Sequence, residues 1–389
     1  MKVFLQYIAI IIALFGPKFG FIDSRLLLFP ILLIFYKRND LTFSKNQIFL
    51  LGIIIFLFIY SFSLFLLFPS NPEFLRYIRS FISLLCLPYI IGYNNSFVTA
   101  LKIVINILIF HPVAIYLSMV FPPIQYILAD IFQFVSENRE LRYNGLTAGY
   151  DIAGYLSISG FLICLYTYFQ DKRVSTLIKS ILFFVSVFFT SRTSIILLLF
   201  ISILLFFQFI FKSKFTFRKM FYGTILFTIL SIVVYKYILP NFISTIDIEI
   251  FKDLSENGNE EAVLTYAKTD PYKMLLDFII LPKSKIGLIF GENFFPLSDS
   301  GYIQTINAIG LFGLSFSLLF YFKLYFNLKY DCLKNQLKKN VSIALKTIII
   351  ITLFLCVKNQ YLFTRGTFEL IILIFIILKL PNNLVKTNE

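Results

Sequence analysis

The chain has 389 residues, of which 58% are hydrophobic and 14% charged, with a mean hydropathy of +0.83. A soluble domain would carry nearly twice that share of charge, so an ordinary soluble enzyme is excluded. The formal net charge of +14 is no argument for a nucleic-acid partner, because lysines on cytoplasmic loops are how polytopic membrane proteins set their orientation.

Apolar runs of roughly 20 residues, the length needed to cross a bilayer, recur along the sequence. The short alternating segments of a β-barrel do not. The fold class expected is all-α: a single polytopic membrane domain over residues 1–389, with about 12 helices. In chain order the runs fall at 3–16, 20–36, 47–68, 80–93, 97–120, 148–169, 174–190, 193–211, 220–239, 301–327, 341–357 and 367–380. The first run, Val3 to Phe15, has no small-residue cleavage site and is read as a retained helix. The second contains Asp23 and Arg25. Cys86, Cys164, Cys332 and Cys356 fall in or beside spans without metal-type spacing, so neither a disulfide framework nor a metal site is expected.

Sidedness follows from the short loops. One alternating set holds Lys37, Arg38 and Lys45, then Lys172 and Arg173, then Lys212, Lys214, Arg218 and Lys219, then Lys329, Lys334, Lys338 and Lys339. These belong in the cytoplasm, and both termini with them. The long polar loop at 240–300 then lies outside, and its stretch from Tyr272 to Leu281 has the pattern of a helix lying on a membrane surface. The outer side also receives most of the arginines: Arg25, Arg76, Arg79, Arg139, Arg142, Arg192 and Arg365. Arginine presents a planar fork of donors that matches phosphate oxygens in pairs. Two readings stand side by side. The arginines pair with Asp23, Glu73, Glu137 or Glu140 or with lipid headgroups, or they form an outer-face site for a phosphate-bearing, membrane-bound substrate.

Three outer segments carry candidate chemistry. Arg142-Tyr-Asn-Gly145 ends a polar loop and opens a span through Gly149, Asp151 and Gly154; glycines permit close approach of helices or ligands. Thr190-Ser191-Arg192-Thr193-Ser194 reads as a tight turn between two spans, and an arginine there is a functional-site candidate by default. The run Leu288 to Tyr302 closes the long loop with Ser298, Asp299 and Ser300, followed by Gly310 and Gly313. Asp299 either caps the next helix or presents a carboxylate to a ligand. Lys358 to Gly366 adds Arg365. The single histidine, His111, precedes Pro112 and reads as the neighbour of a helix kink.

On these residues the chain resembles the O-antigen polymerase (Wzy-type) and O-antigen ligase group of membrane glycosyltransferases. The features that carry the resemblance are Arg142 with Gly145 before a span, the Ser191-Arg192-Thr193 turn, Leu288–Gly291 leading to Asp299-Ser300-Gly301-Tyr302, and Gly310 with Gly313. Their order matches across about residues 130–380; the first third matches in hydropathy alone. Similar ligases place a histidine where this chain has Asp299, which favours the polymerase. The resemblance implies a GT-C-like helical fold in a bacterial inner membrane and an outer loop in the periplasm. It also implies polyprenyl-diphosphate-linked oligosaccharides as substrates, contact with membrane lipid, and chain-length regulator and flippase proteins of the same pathway as partners. No cofactor is required if arginines supply the charge. Arg192 and Asp299 are the expected catalytic residues, and Arg142, Gly145, Tyr302 and Arg365 are expected to bind substrate. The alternatives are an O-antigen ligase, a lipid-linked oligosaccharide flippase, and a sugar or ion permease. The absence of an internal repeat weakens a transporter built from two similar halves.

Overall fold

The computed structural model describes residues 2–19, 22–36, 44–69, 72–92, 95–132, 142–147, 149–212, 281–282, 284–294, 300–328 and 335–382. These residues are helical apart from their connections and a minimal antiparallel pairing of Lys18–Phe19 with Ile22–Asp23. The helices are α1 (Lys2–Phe15), α2 (Leu28–Tyr36), α3 (Lys45–Leu67), α4 (Phe74–Gly92), α5 (Phe97–Leu108), α6 (Phe110–Val120), α7 (Pro122–Phe132), α8 (Tyr150–Asp171), α9 (Val174–Val187), α10 (Arg192–Lys212), α11 (Lys285–Phe290), α12 (Gly301–Asn327), α13 (Gln336–Leu355) and α14 (Thr367–Lys379). Among the described residues, five helical stretches are long and apolar enough to cross a membrane: Lys45–Leu67, Phe74–Gly92, Phe97–Val120, Tyr150–Asp171 and Gly301–Asn327. The expected span at 220–239 and the expected surface helix from Tyr272 lie outside the described residues.

The chain forms two compact units, residues 1–195 with 279–389, and residues 196–278. In the second unit the described residues, 196–212, are helical.

Within the first unit, α14 is the central element. Every residue from Thr367 to Leu378 is buried. A helix of 13 residues rises about 20 Å, and one that is apolar on all faces belongs inside a protein core. Around it pack α1, α4, α5, α8 and α13. Further out, α3 packs on α4 and α12, and α9 on α8. Polar side chains set several helix starts. Ser44 and Gln47 form a reciprocal cap at α3, Ser96 caps α5, and Asn335 accepts from Leu337 N–H at 2.8 Å at the start of α13.

Three expected helices change form. The one expected from residue 20 begins as a 3₁₀ turn at Ser24–Leu27, because the Asp23 carboxylate takes the Arg25 N–H at 3.0 Å and caps it; α2 follows at Leu28. The run at 97–120 divides at Ile109, since Pro112 has no N–H to offer the carbonyl four residues back. The helix at 301–327 has its expected bounds but breaks at Gly310, whose φ of 68° and ψ of 178° are not helical. In addition, α7 forms where no span was expected.

Charge sorts the two ends of this unit. One end carries Asp23, Arg25, Arg79, Arg365 and Glu369 in mutual contact. At the other, Lys338 Nζ donates to Leu380 O and Phe97 N–H donates to Pro381 O at 2.9 Å. The helix α13 runs between them, from Lys338 in its first turn to Cys356 at its C-cap.

Candidate functional site at the arginine end

The arginine end is built around the connection from α13 to α14, residues 356–366. Its last residues carry a buried charge cluster. Asp23 is 3.3 Å from Arg25 Nη1, 3.2 Å from Arg365 Nε and 3.7 Å from Arg79 Nη1. Glu369 Oε1 is 3.2 Å from Arg25 Nε and 3.5 Å from Arg79 Nε. Arg79 also donates to the Phe363 carbonyl. Three guanidiniums against two carboxylates leave one positive charge in excess.

Most of this cluster holds helix ends. The Arg25 guanidinium donates to the carbonyls of Ala13 (2.9 Å), Leu14 (3.5 Å) and Gly16 (3.1 Å), the end of α1. Glu369 accepts from the Gly366 N–H at 2.7 Å and caps the start of α14. A cation at a helix C-terminus and a carboxylate at an N-terminus both suit the helix dipole. Burial by itself would raise the Asp23 carboxyl, but Arg25, Arg79 and Arg365, with the Arg25 N–H, outweigh it and hold Asp23 below its ordinary value. Burial works the other way at Arg365, lowering it against the support of Asp23. Beside the cluster, Glu73 bonds Arg76 at 2.8 Å; burial raises the Glu73 carboxyl, and Arg76 and Arg79 oppose the rise.

The first residues of the same connection reach two other expected segments. Lys358 Nζ donates to Thr193 Oγ1 and lies 3.9 Å from Asp151. Asn359 donates to Asp151 at 3.4 Å. Gln360, its amide oriented to suit its neighbours, accepts from Arg76 and donates to Gln304 Oε1 at 3.3 Å and Gly301 O at 3.2 Å. Gly301 opens α12 directly against the Asn359 carbonyl, and a Cβ there would lie 2.4 Å from it. Tyr302 donates its N–H to Cys356 O (3.1 Å) and its hydroxyl to Leu353 O (2.5 Å).

The loop that carries Arg142 and Gly145 joins the same assembly. The Tyr143 N–H donates to Phe189 O at 2.8 Å, in the turn that leads to Arg192. The Arg142 carbonyl accepts from Gln125 at 3.2 Å. Leu146 and Thr147 line a small crevice with Gly16, Phe132, Arg25 and Arg365. Gly154 lies against Ser194 so closely that an added Cβ would fall 1.9 Å from its Oγ, which locks α8 to the start of α10.

A second feature is the break in α12. The first half of α12 ends at Gly310, and the carbonyls freed there find new donors. Asn307 O accepts from Glu292 N–H (2.9 Å), and Ala308 O from Asn293 N–H (3.2 Å). The positive φ of Gly291 (85°) and Gly310 (68°) lets the two backbones touch; a Cβ on Gly310 would lie 2.2 Å from Ile289 O. The Leu288–Gly291 stretch and Gly310, both singled out in the sequence, thus meet. Tyr60 donates to Phe290 O (2.6 Å) and Asn293 to Phe68 O (2.6 Å), which seats this segment on α3. Between them lies a groove of about 880 Å³ lined by Leu64, Leu67, Phe68, Ile286 and Phe290, with Ser284 and Glu292 at its polar rim.

Comparison with protein-family models, curated proteins and solved structures finds no match.

The expected site residues therefore stand as follows. Gly145 touches the His111 ring, Arg365 belongs to the buried cluster, and Tyr302 bonds the end of α13. Arg192 begins α10 next to Thr193, and its side chain lies outside what the structure describes. Asp299 also lies outside the described residues; its neighbour Ser300 occupies the N-cap position of α12. Glu369, Gln360 and His111 build this end of the molecule without being among the residues the sequence singles out for a site. Glu369 had a readable signal, since it stands three residues after Gly366 at a helix start, the spacing of a capping box.

Proposed function

We propose that the chain is an oligosaccharide repeat-unit polymerase of a bacterial inner membrane. In this reading it crosses the bilayer about 12 times with both termini in the cytoplasm, and it transfers a polyprenyl-diphosphate-linked glycan onto another lipid-linked repeat unit at the periplasmic face. The observation that carries the reading is the meeting of three separate sequence segments at one end of the first unit. The 142–147 loop, the turn before Arg192 and the 356–366 connection are tied by Tyr143 to Phe189 and by Lys358 to Thr193. The start of α12, beside Asp299, packs on the same connection.

The chemistry needs these residue types. The acceptor sugar hydroxyl attacks the anomeric carbon of the donor. The bond from that carbon to the diphosphate oxygen breaks, and the electron pair leaves with the diphosphate. Arg192 and Arg142 stabilise that growing charge, with Arg365 as a weaker third candidate. Asp299 takes the hydroxyl proton. The apolar groove beside α3 and α11 supplies a surface for the lipid tail. Chain-length regulator and flippase proteins would act on either side of this step.

Purified protein in detergent, given lipid-linked repeat units of a candidate glycan, should build polymer with no vesicle to cross. Asp299→Asn should remain folded and lose most of the activity, since a general base contributes about 10²–10⁴-fold in rate. A second reading, a flippase for the same substrate, is favoured by the broken α12, because interrupted helices recur at transport sites. The detergent assay separates the two: a flippase moves substrate between leaflets and makes no polymer.

A further inference from the structure

We infer that His111 is a positioning residue, whose imidazole ties the 142–147 loop to α8 and so fixes the surface that the loop turns toward Arg25 and Arg365. His111 is fully buried in the first turn of α6. Both ring nitrogens are used. The Leu146 backbone N–H donates to Nδ1 at 3.3 Å, so Nδ1 carries no proton. The proton then belongs on Nε2, which is 3.0 Å from the Ala153 carbonyl in the first turn of α8. One neutral side chain thus bridges the loop and the first turn of α8. Phe15 stacks on the ring at 6.2 Å between centroids and 14° between planes, which fixes its tilt.

The loop is shaped to accept this tether. Gly145 has φ of +52°, and a Cβ there would come within 2.8 Å of His111 Nδ1 and 2.9 Å of Cε1. Only glycine lets the backbone lie on the imidazole and aim the next N–H at Nδ1. The loop closes on itself through Asn144 Nδ2 to Thr147 O (2.7 Å) and Thr147 Oγ1 to Asn144 O (2.8 Å), so the tether at Leu146 holds a rigid turn. That turn contributes Leu146 and Thr147 to the crevice lined by Arg25 and Arg365. The consequence for substrate rests on the polymerase reading; the tether itself does not.

The test separates the two nitrogens. His111→Asn keeps an acceptor near the position of Nδ1, His111→Gln keeps a donor near Nε2, and His111→Phe keeps the ring and neither bond. Each is placed in a full-length protein with the native cysteines replaced and Leu146→Cys introduced. The labelling rate of that cysteine by a maleimide is then measured together with the unfolding temperature. His111→Phe and His111→Gln should label about fivefold faster than the parent, the factor produced by losing one neutral hydrogen bond, and His111→Asn should label near the parent rate. In the detergent polymerisation assay the same two variants should raise the donor KM more than they lower kcat. Unchanged labelling in His111→Phe and His111→Gln, or labelling of His111→Asn as fast as His111→Phe, would overturn the proposal. If His111→Phe does not fold, the contrast between Asn and Gln decides. Labelling as expected in a protein that makes no polymer counts against the polymerase reading and leaves the tether standing.

Discussion

Two groups of charges share the arginine end, and they differ in how far water reaches them. In the first, Arg25 and Glu369 are 1% and 0% exposed and sit between the ends of α1 and α14. In the second, Lys358 and Asp151 are 51% and 22% exposed and meet at 3.9 Å beside the start of α10. In the first group the Arg25 donors are committed to the carbonyls at the end of α1 and to Asp23, and Glu369 caps α14, so the group holds these helix ends in place. The second leaves polar side chains open at the junction of three segments, next to the backbone of Arg192. Residue type alone does not tell the two groups apart; burial and commitment do.

The strongest way to break this contrast is to remove a buried partner. Glu369→Gln leaves Arg25 and Arg79 short of a counter-charge in the core, and removing one member of a buried pair costs about 3–5 kcal/mol. Its unfolding midpoint should fall well below that of the parent. A near-parental midpoint would mean that the cluster does not hold α14. The break in α12 is next in size. Gly310→Ala should cost about 3 kcal/mol, from backbone strain and the contact with Ile289 O. Gly52→Ala is its control, because nothing lies within 4 Å of a Cβ there and its place inside α3 suits alanine, so it should stabilise the protein by about 0.5–1 kcal/mol in the same melt.

These contrasts show what was legible beforehand. The apolar runs identified most helices, because burial in lipid or in a helical core demands apolar length. The segments that meet at the arginine end were picked out by glycines and arginines interrupting those runs. Their roles were harder to read. Arg25 and Arg365 look alike in sequence, yet Arg25 caps α1 and Arg365 leans on Asp23 from a more open position, 20% exposed. Nothing local to Arg25 names its carbonyl acceptors, which lie at the end of the preceding helix. Likewise Gly310 and Gly291 were visible as glycines, while their mutual contact depends on a helix break that the unbroken apolar pattern of 301–327 concealed. At His111 the sequence offers only Pro112 beside it, and its bonds to Leu146 and Ala153 arise only in the packed fold.

A pH series sharpens the comparison with a smaller effect. Asp23 is held below its ordinary value, so its contribution to stability is fully present above the unfolded-state value of about 4. That contribution should fade as pH drops through the lower folded value. Asp23→Asn should flatten this acid limb of the stability profile, and an unchanged limb would remove Asp23 from the ion network. At the small end, Lys358→Ala should cost at most about 1 kcal/mol, since its ion pair is open to solvent. A larger loss would place Lys358 with the scaffold.

The most direct measurement takes Arg192→Lys and the parent protein, purified in the same detergent, and follows both polymer formation from lipid-linked repeat units and the unfolding midpoint. Lysine keeps the positive charge and loses the paired donors that match diphosphate oxygens. The outcome predicted here is parental stability with polymer formation reduced at least about tenfold, the effect of losing one charge-assisted hydrogen bond of about 1.5–3 kcal/mol. Parental polymer lengths and rates in Arg192→Lys would contradict a diphosphate-binding site at this end of the molecule.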